Sequence, residues 1–192
     1  MQNFTKSNIA INDLYCETIY KNYIAETSEF LSKCEELSEI LRIKLPTSCY
    51  TNFRDAIFHF RRVVKSSEEN EITKQGFAVE EHSNRAKTDA IICILENCSL
   101  LLQVFSHAKY SLSEKASEEL VTMKNSLDRS ALHLRLNGIM LDHTNTLRIT
   151  DEEFQNSIRY FLLFVREHLG QEKLRFAIEE IKASNPCVKQ GQ

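Results

Sequence analysis

Apolar residues recur every three or four positions along almost the whole chain, the spacing of helices with one buried face. Cys16, Tyr20, Tyr23, Phe30, Cys34, Leu37 and Leu41 step by three, four or seven, which predicts a first helix from about residue 8 to residue 44. Pro46 closes it, because proline supplies no helical amide and disfavours helix in the residue before it. Thr47 or Ser48 can cap a second helix. Its expected buried stripe is Tyr50, Phe53, Ile57, Phe60 and Val64. After the polar break "KSSEEN", a third helix is expected from about 71 to 107. Its first half is charged and its second half nearly all apolar, as in a helix that leaves the surface and becomes central.

"SLSEKASEE" opens a fourth helix with a cap signature and acidic residues. Ala116, Leu120, Met123, Leu127, Leu134 and Leu141 mark its face, and a loop is expected over 138–150. "TDEE" reads as a capping box with Thr150 as cap and Glu153 as its partner. Phe154, Ile158, Phe161, Leu162, Val165 and Leu169 follow at helical spacing, up to a left-handed stop at Gly170. A last helix carries Leu174, Ile178 and Ile181, and the tail 185–192 is expected to fray. No segment alternates as a strand does. The expected fold is all-α, a bundle of five or six mostly long antiparallel helices in a single domain over 1–192. The low content of turn-makers, Gly 4 and Pro 2, agrees with long uninterrupted elements.

Composition removes several classes of function. The formal net charge is -3, so any nucleic-acid surface must be local. The longest apolar run, "AIICILENCSLLLQVF", is broken by Glu96 and Asn97, and the N-terminus has no basic and apolar leader pattern. A soluble, cytoplasmic protein with no membrane partner is expected. Cys16, Cys34, Cys49, Cys93, Cys98 and Cys187 form no C-x-x-C pair, and most sit at apolar positions, as reduced core thiols do. Neither H-E-x-x-H nor a glycine-rich phosphate loop occurs, so no metal site and no cofactor are expected.

The candidate chemistry lies on the second helix, in "YTNFRDAIFHFRRVV". Asp55 and His59 are one turn apart and can touch. On a helical wheel Arg54 stands about 140° around from His59, so two copies of the helix would be needed to aim both at one phosphate. Arg54-Asp55-Ala56-Ile57-Phe58-His59 resembles the arginine-x4–6-histidine motif of HEPN domains, in which a polar residue usually follows the arginine. That family is all-α, and many members are metal-independent endoribonucleases of toxin–antitoxin and defence systems. Their active site forms where two motifs meet at a dimer interface. The resemblance implies Arg54, Asp55 and His59 as catalytic residues, single-stranded RNA rather than DNA as partner, and a homodimer.

Such a site has a clear chemical logic. Attack by the RNA 2′-hydroxyl requires proton transfer, which histidine performs near neutrality. Charge on the phosphate oxygens is met by an arginine fork. Arg61, Arg62 and Lys65 follow on the same helix, where cations serve either RNA phosphates or the helix dipole. Glu81, Arg85 and Asp89 form a ladder of alternating charge on the third helix, beside His82. Glu81, His82 and Arg85 are expected to support His59 if that helix faces the second. The alternative is a non-catalytic helical interaction module, with a buried aromatic stripe and a solvated Asp/His/Arg face.

Overall fold

The structure, a computed structural model, describes residues 13–107, 110–140 and 151–184, with the backbone course alone at 137–140 and 151–152. The described residues are helical almost throughout and include no strand, an all-α bundle. Helix α1 comprises residues 13–19, a π-helical stretch Tyr20–Ala25 and the α-helical Glu26–Leu41. Then come α2, Thr47–Lys65; α3, Glu69–Phe105; and α4, Glu114–Met140. The long helix α5, Asp151–Phe164, runs on as a π-helical turn, Val165–Leu169, and α6 spans Gly170–Ser184.

The helix ends follow local chemistry, with some departures from the sequence-based expectation. α1 stops at Leu41, before Pro46, because Arg42 takes a left-handed conformation (φ 51°) and Ile43 N–H bonds Ser38 O at 2.9 Å. Pro46 itself occupies the cap position of α2, so Thr47 is its first residue and supplies no side-chain cap. Within "SLSEKASEE", Ser113 caps α4, its Oγ accepting from Ala116 N–H at 3.2 Å. α4 continues to Met140, past the expected start of the loop, and the rest of that loop, with Thr150, lies outside the described residues. Gly170 has a positive φ of 72° and separates α5 from α6. Cys187 and the tail 185–192 also lie outside.

The residues group into two compact units, Met1–Leu37 with Leu45–Ala90, and Ser38–Lys44 with Ile91–Gln192. In the first unit, α2 runs antiparallel to its neighbours: Tyr20 meets Phe60, Glu35 meets Tyr50, His59 meets Gln75 and Asn52 meets Asp89. α1 and the first part of α3 run parallel, with Lys87 on Glu26 and Gly76 against Tyr15 and Ile19. A Cβ at Gly76 would lie 2.5 Å from Tyr15 Oη and 3.1 Å from Ile19 Cδ1, so this glycine marks a close approach of the two helices. The core joins Ile19, Ile24, Ala56, Val63, Ile72 and Val79.

The buried line of α2 differs from the expected stripe. Cys49, Ala56 and Val63, spaced by seven, are fully buried, whereas Tyr50 and Val64 are exposed and Phe53, Ile57 and Phe60 only half-buried. The same happens early in α1, where Ile19 and Ile24 are buried and Tyr20 is exposed. The π-helical stretch puts residues five apart on one face, which turns the stripe away from Tyr20.

In the second unit, α4 crosses the later part of α3 antiparallel. Arg135 grips Glu96 with two bonds of 2.6 and 2.8 Å, and Ser99 donates to Asp128 at 2.5 Å. Phe105, Phe161, Phe164, Leu102 and Leu120 fill its core. α3 is long and apolar enough to cross a membrane by length and composition, despite Glu96 and Asn97. Its Ile91, Ile94, Leu95, Cys98, Leu101, Leu102 and Phe105 are nevertheless buried in the protein.

Candidate functional site

The site residues lie on one flank of α2. At about 100° per residue, Phe60, Phe53 and Ile57 fall on one side of Ala56 and Asn52, His59 and Asp55 on the other, at roughly matching angles. The aromatic flank packs toward α1, where Phe60 meets Tyr20 at 5.8 Å between centroids. The polar flank meets α3. The face expected to be wet is therefore half covered.

Two hydrogen-bonded chains hold two imidazoles there. Gln75, buried on α3, donates through Nε2 to Glu71 Oε1 at 2.7 Å. That leaves its Oε1, 2.5 Å from His59 Nδ1, as an acceptor. His59 Nδ1 must then carry the proton, and neutral His59 keeps its lone pair on Nε2. The second chain repeats the logic. Asn52 Nδ2 donates to Asp89 Oδ2 at 3.3 Å, and Asn52 Oδ1 lies 3.3 Å from His82 Nδ1. The two rings stack at 5.2 Å with an interplanar angle of 11°. Burial pushes the His82 imidazole below its ordinary pKa, and neighbouring His59 pushes it the same way, against the opposing pull of Asp55.

Arg54 is not part of this group. It donates from Nε and Nη2 to Asp55 Oδ1 at 3.2 and 3.1 Å, with a side chain 74% exposed. Among the described residues, neither Nε2 of His59 nor that of His82 makes a hydrogen bond. Of the residues expected to support His59, only His82 touches it. Glu81 and Arg85 pair with each other at the surface. Asp89, the third rung of that ladder, turns instead to Asn52. Arg61, Arg62 and Lys65 are exposed, and the Arg62 guanidinium lies 4.4 Å above the Phe58 ring centre.

Sequence reasoning passed over Gln75 and Asn52, which orient the two imidazoles. The available signal was the pairing of polar residues across the α2–α3 hairpin, where 59 meets 75 and 52 meets 82. Among the described residues, no group of three or more His, Cys, Asp or Glu could hold a metal ion. Cys34, Cys49 and Cys98 are buried and not in disulfides, and burial raises the pKa of Cys98 strongly. No family model, curated protein or solved structure matches the chain.

Proposed function

We propose that this chain is a HEPN-like, metal-independent endoribonuclease acting on single-stranded RNA as a soluble, cytoplasmic homodimer. The observation that carries the reading is the Glu71–Gln75–His59 chain. It presents Nε2 of His59 as a base suited to take the 2′-hydroxyl proton. His82, stacked on it and held through Asn52, is a second imidazole for the departing 5′-oxygen. A protonated imidazole supplies that proton; the stacked pair disfavours two charges at once, and His82, held below its ordinary pKa, takes up its proton only toward acid pH. Arg54 stands outward on α2 and serves a phosphate held by the other chain of a dimer. Arg61, Arg62 and Lys65 hold flanking phosphates. Defence or toxin–antitoxin systems are the natural setting for such an activity.

The assay compares wild type with His59→Ala on single-stranded RNA in EDTA. Wild type should cut RNA and leave DNA of the same sequence intact, since DNA lacks the nucleophile. His59→Ala should lose on the order of 100-fold or more. Equal cleavage by both proteins would assign the activity to a contaminant and end this reading.

The second reading, a non-catalytic interaction module, is favoured by the Arg54–Asp55 ion pair, which occupies the arginine within its own chain. A folded dimer that cleaves none of a varied set of RNAs would establish it over the first.

A further inference from the structure

We propose that Phe58 and Arg62 form a base-stacking site for single-stranded RNA beside His59, with Arg61 and Lys65 taking the adjoining phosphates. This rests on the RNA reading above and adds where the base goes.

Three observations carry it. The first is charge. α2 bears four cations, Arg54, Arg61, Arg62 and Lys65, against the single carboxylate Asp55, in a chain whose net charge is -3. Asp55 is already taken by Arg54. Among the described residues, no carboxylate lies within ion-pair distance of Arg61, Arg62 or Lys65. A concentrated positive stripe on an acidic protein selects an anionic partner.

The second is the ring itself. Phe58 is 50% exposed. Its neighbours one turn away along the helix are Arg54, Asp55, Arg61 and Arg62, all of them charged. A protein partner or a bilayer would require a wider apolar area around an exposed ring. One ring among cations matches one base and its phosphates. Arg62 lies over the ring at 4.4 Å, the arrangement in which guanidinium and aromatic together present stacking surface.

The third is position. The Phe58 ring stands edge-on to the His59 imidazole, 5.8 Å between centroids at 75°. A base stacked on Phe58 therefore sets its own ribose and phosphate next to the proton-transfer group. The base must be unpaired to stack there, which excludes duplex.

The test measures anisotropy of a labelled, unstructured 2′-O-methyl RNA 12-mer with the full chain at low salt. This probe has no free 2′-hydroxyl, so a reaction driven by that group cannot consume it. Phe58→Ala should weaken binding on the order of 5- to 100-fold, the range for loss of one base–aromatic stack. Phe58→Trp should restore it. Arg61→Gln and Lys65→Gln should each flatten the salt dependence of binding, by about 0.7 in the log–log slope for each phosphate no longer neutralised. The same probe annealed to its complement should bind at least about tenfold more weakly. All these side chains are exposed, so helicity and urea midpoint should not change, and both are checked.

Unchanged affinity in Phe58→Ala, equal binding of duplex, or no binding at all would overturn the proposal. So would Phe58-dependent binding to phosphatidylserine vesicles without binding to the 12-mer. The two readings fail separately. Binding that depends on Phe58, without cleavage of ordinary RNA, ends the nuclease reading and keeps this one. Cleavage that depends on His59 but is indifferent to Phe58 does the reverse.

Discussion

Thr27 and Ser83 are fully buried in the first unit, and neither hydroxyl has a hydrogen-bond partner among the described residues. An unpartnered buried hydroxyl costs its desolvation, so an apolar group of the same shape should fit better. Thr27→Val should therefore raise stability by about 0.5–1.5 kcal/mol, read as a higher urea midpoint. A loss of about 1 kcal/mol or more would mean that the hydroxyl is satisfied in solution. His82 gives a second test on single side chains. Its folded pKa lies below the ordinary value of 6.5. The unfolded chain then binds more protons as pH falls, so stability is full above about 6.5 and declines as pH drops through the lower, folded value. His59 and Arg85 lower this pKa while Asp55 and Glu81 raise it, and all four shape the decline. Urea midpoints at about pH 7.5 and about pH 5 should show it, and His82→Gln should reduce the difference. An identical difference in that variant would place the titrating group elsewhere. Side-chain identities such as His59 and Asp55 were legible in the sequence. Their partners were not, because Gln75 and Asn52 carry no charge and no apolar signal, and their role exists only across a helix pair.

The elements themselves were easier to read than their rotation. Helical spacing, the start of α2 at Pro46, the capped start of α4 and the Gly170 break all follow from local chemistry. The phase of α2 did not, for a packing reason. A helix touched on two sides buries its central line deepest, and close approach there favours small side chains, here Cys49 and Ala56. Hydrophobicity read along the sequence gives weight to the large rings instead, and those sit on a half-buried flank. The energetics should follow the observed phase. Phe60→Ala should cost about 1.5–2.5 kcal/mol, roughly half of the cost at a fully buried ring. Ala56→Leu should cost about 1–3 kcal/mol or more by forcing new methylenes between α1 and α3. Both are read by chemical denaturation of the whole chain. A Phe60→Ala loss well above that range, with Ala56→Leu tolerated, would restore the stripe read from sequence. The turn of α1 was hidden for a different reason: a π-helical stretch leaves no residue signature of its own, and Ile19 and Ile24 reveal it only by being buried together.

For the assembled protein, the question is where Arg54 acts. Among the described residues its guanidinium bonds Asp55 of its own chain and neither imidazole. On the helical wheel Arg54 stands about 140° from His59, so in the proposed reading the two reach one phosphate from different chains. In the proposed two-fold dimer, one self-complementary surface would give each phosphate Arg54 from one chain and His59 from the other. The helical wheel points to this from the sequence, because angular separation on one helix is set by residue number alone. What the wheel could not supply is the second surface, which depends on side chains from more than one element. The arrangement makes a sharp prediction for mixtures. Arg54→Ala and His59→Ala should each be nearly inactive alone. In a mixed dimer, the intact Arg54 of one chain faces the intact His59 of the other at one of the two sites. Random exchange makes about half the dimers mixed, so a one-to-one mixture should recover roughly a quarter of wild-type activity. The measurement is the rate of RNA cleavage after co-denaturation and refolding of the two variants together, against each refolded alone. Recovery would require that the arginine and the histidine act from different chains. No recovery, from a mixture shown to form mixed dimers, would mean that both act from one chain or that Arg54 has no part in the chemistry.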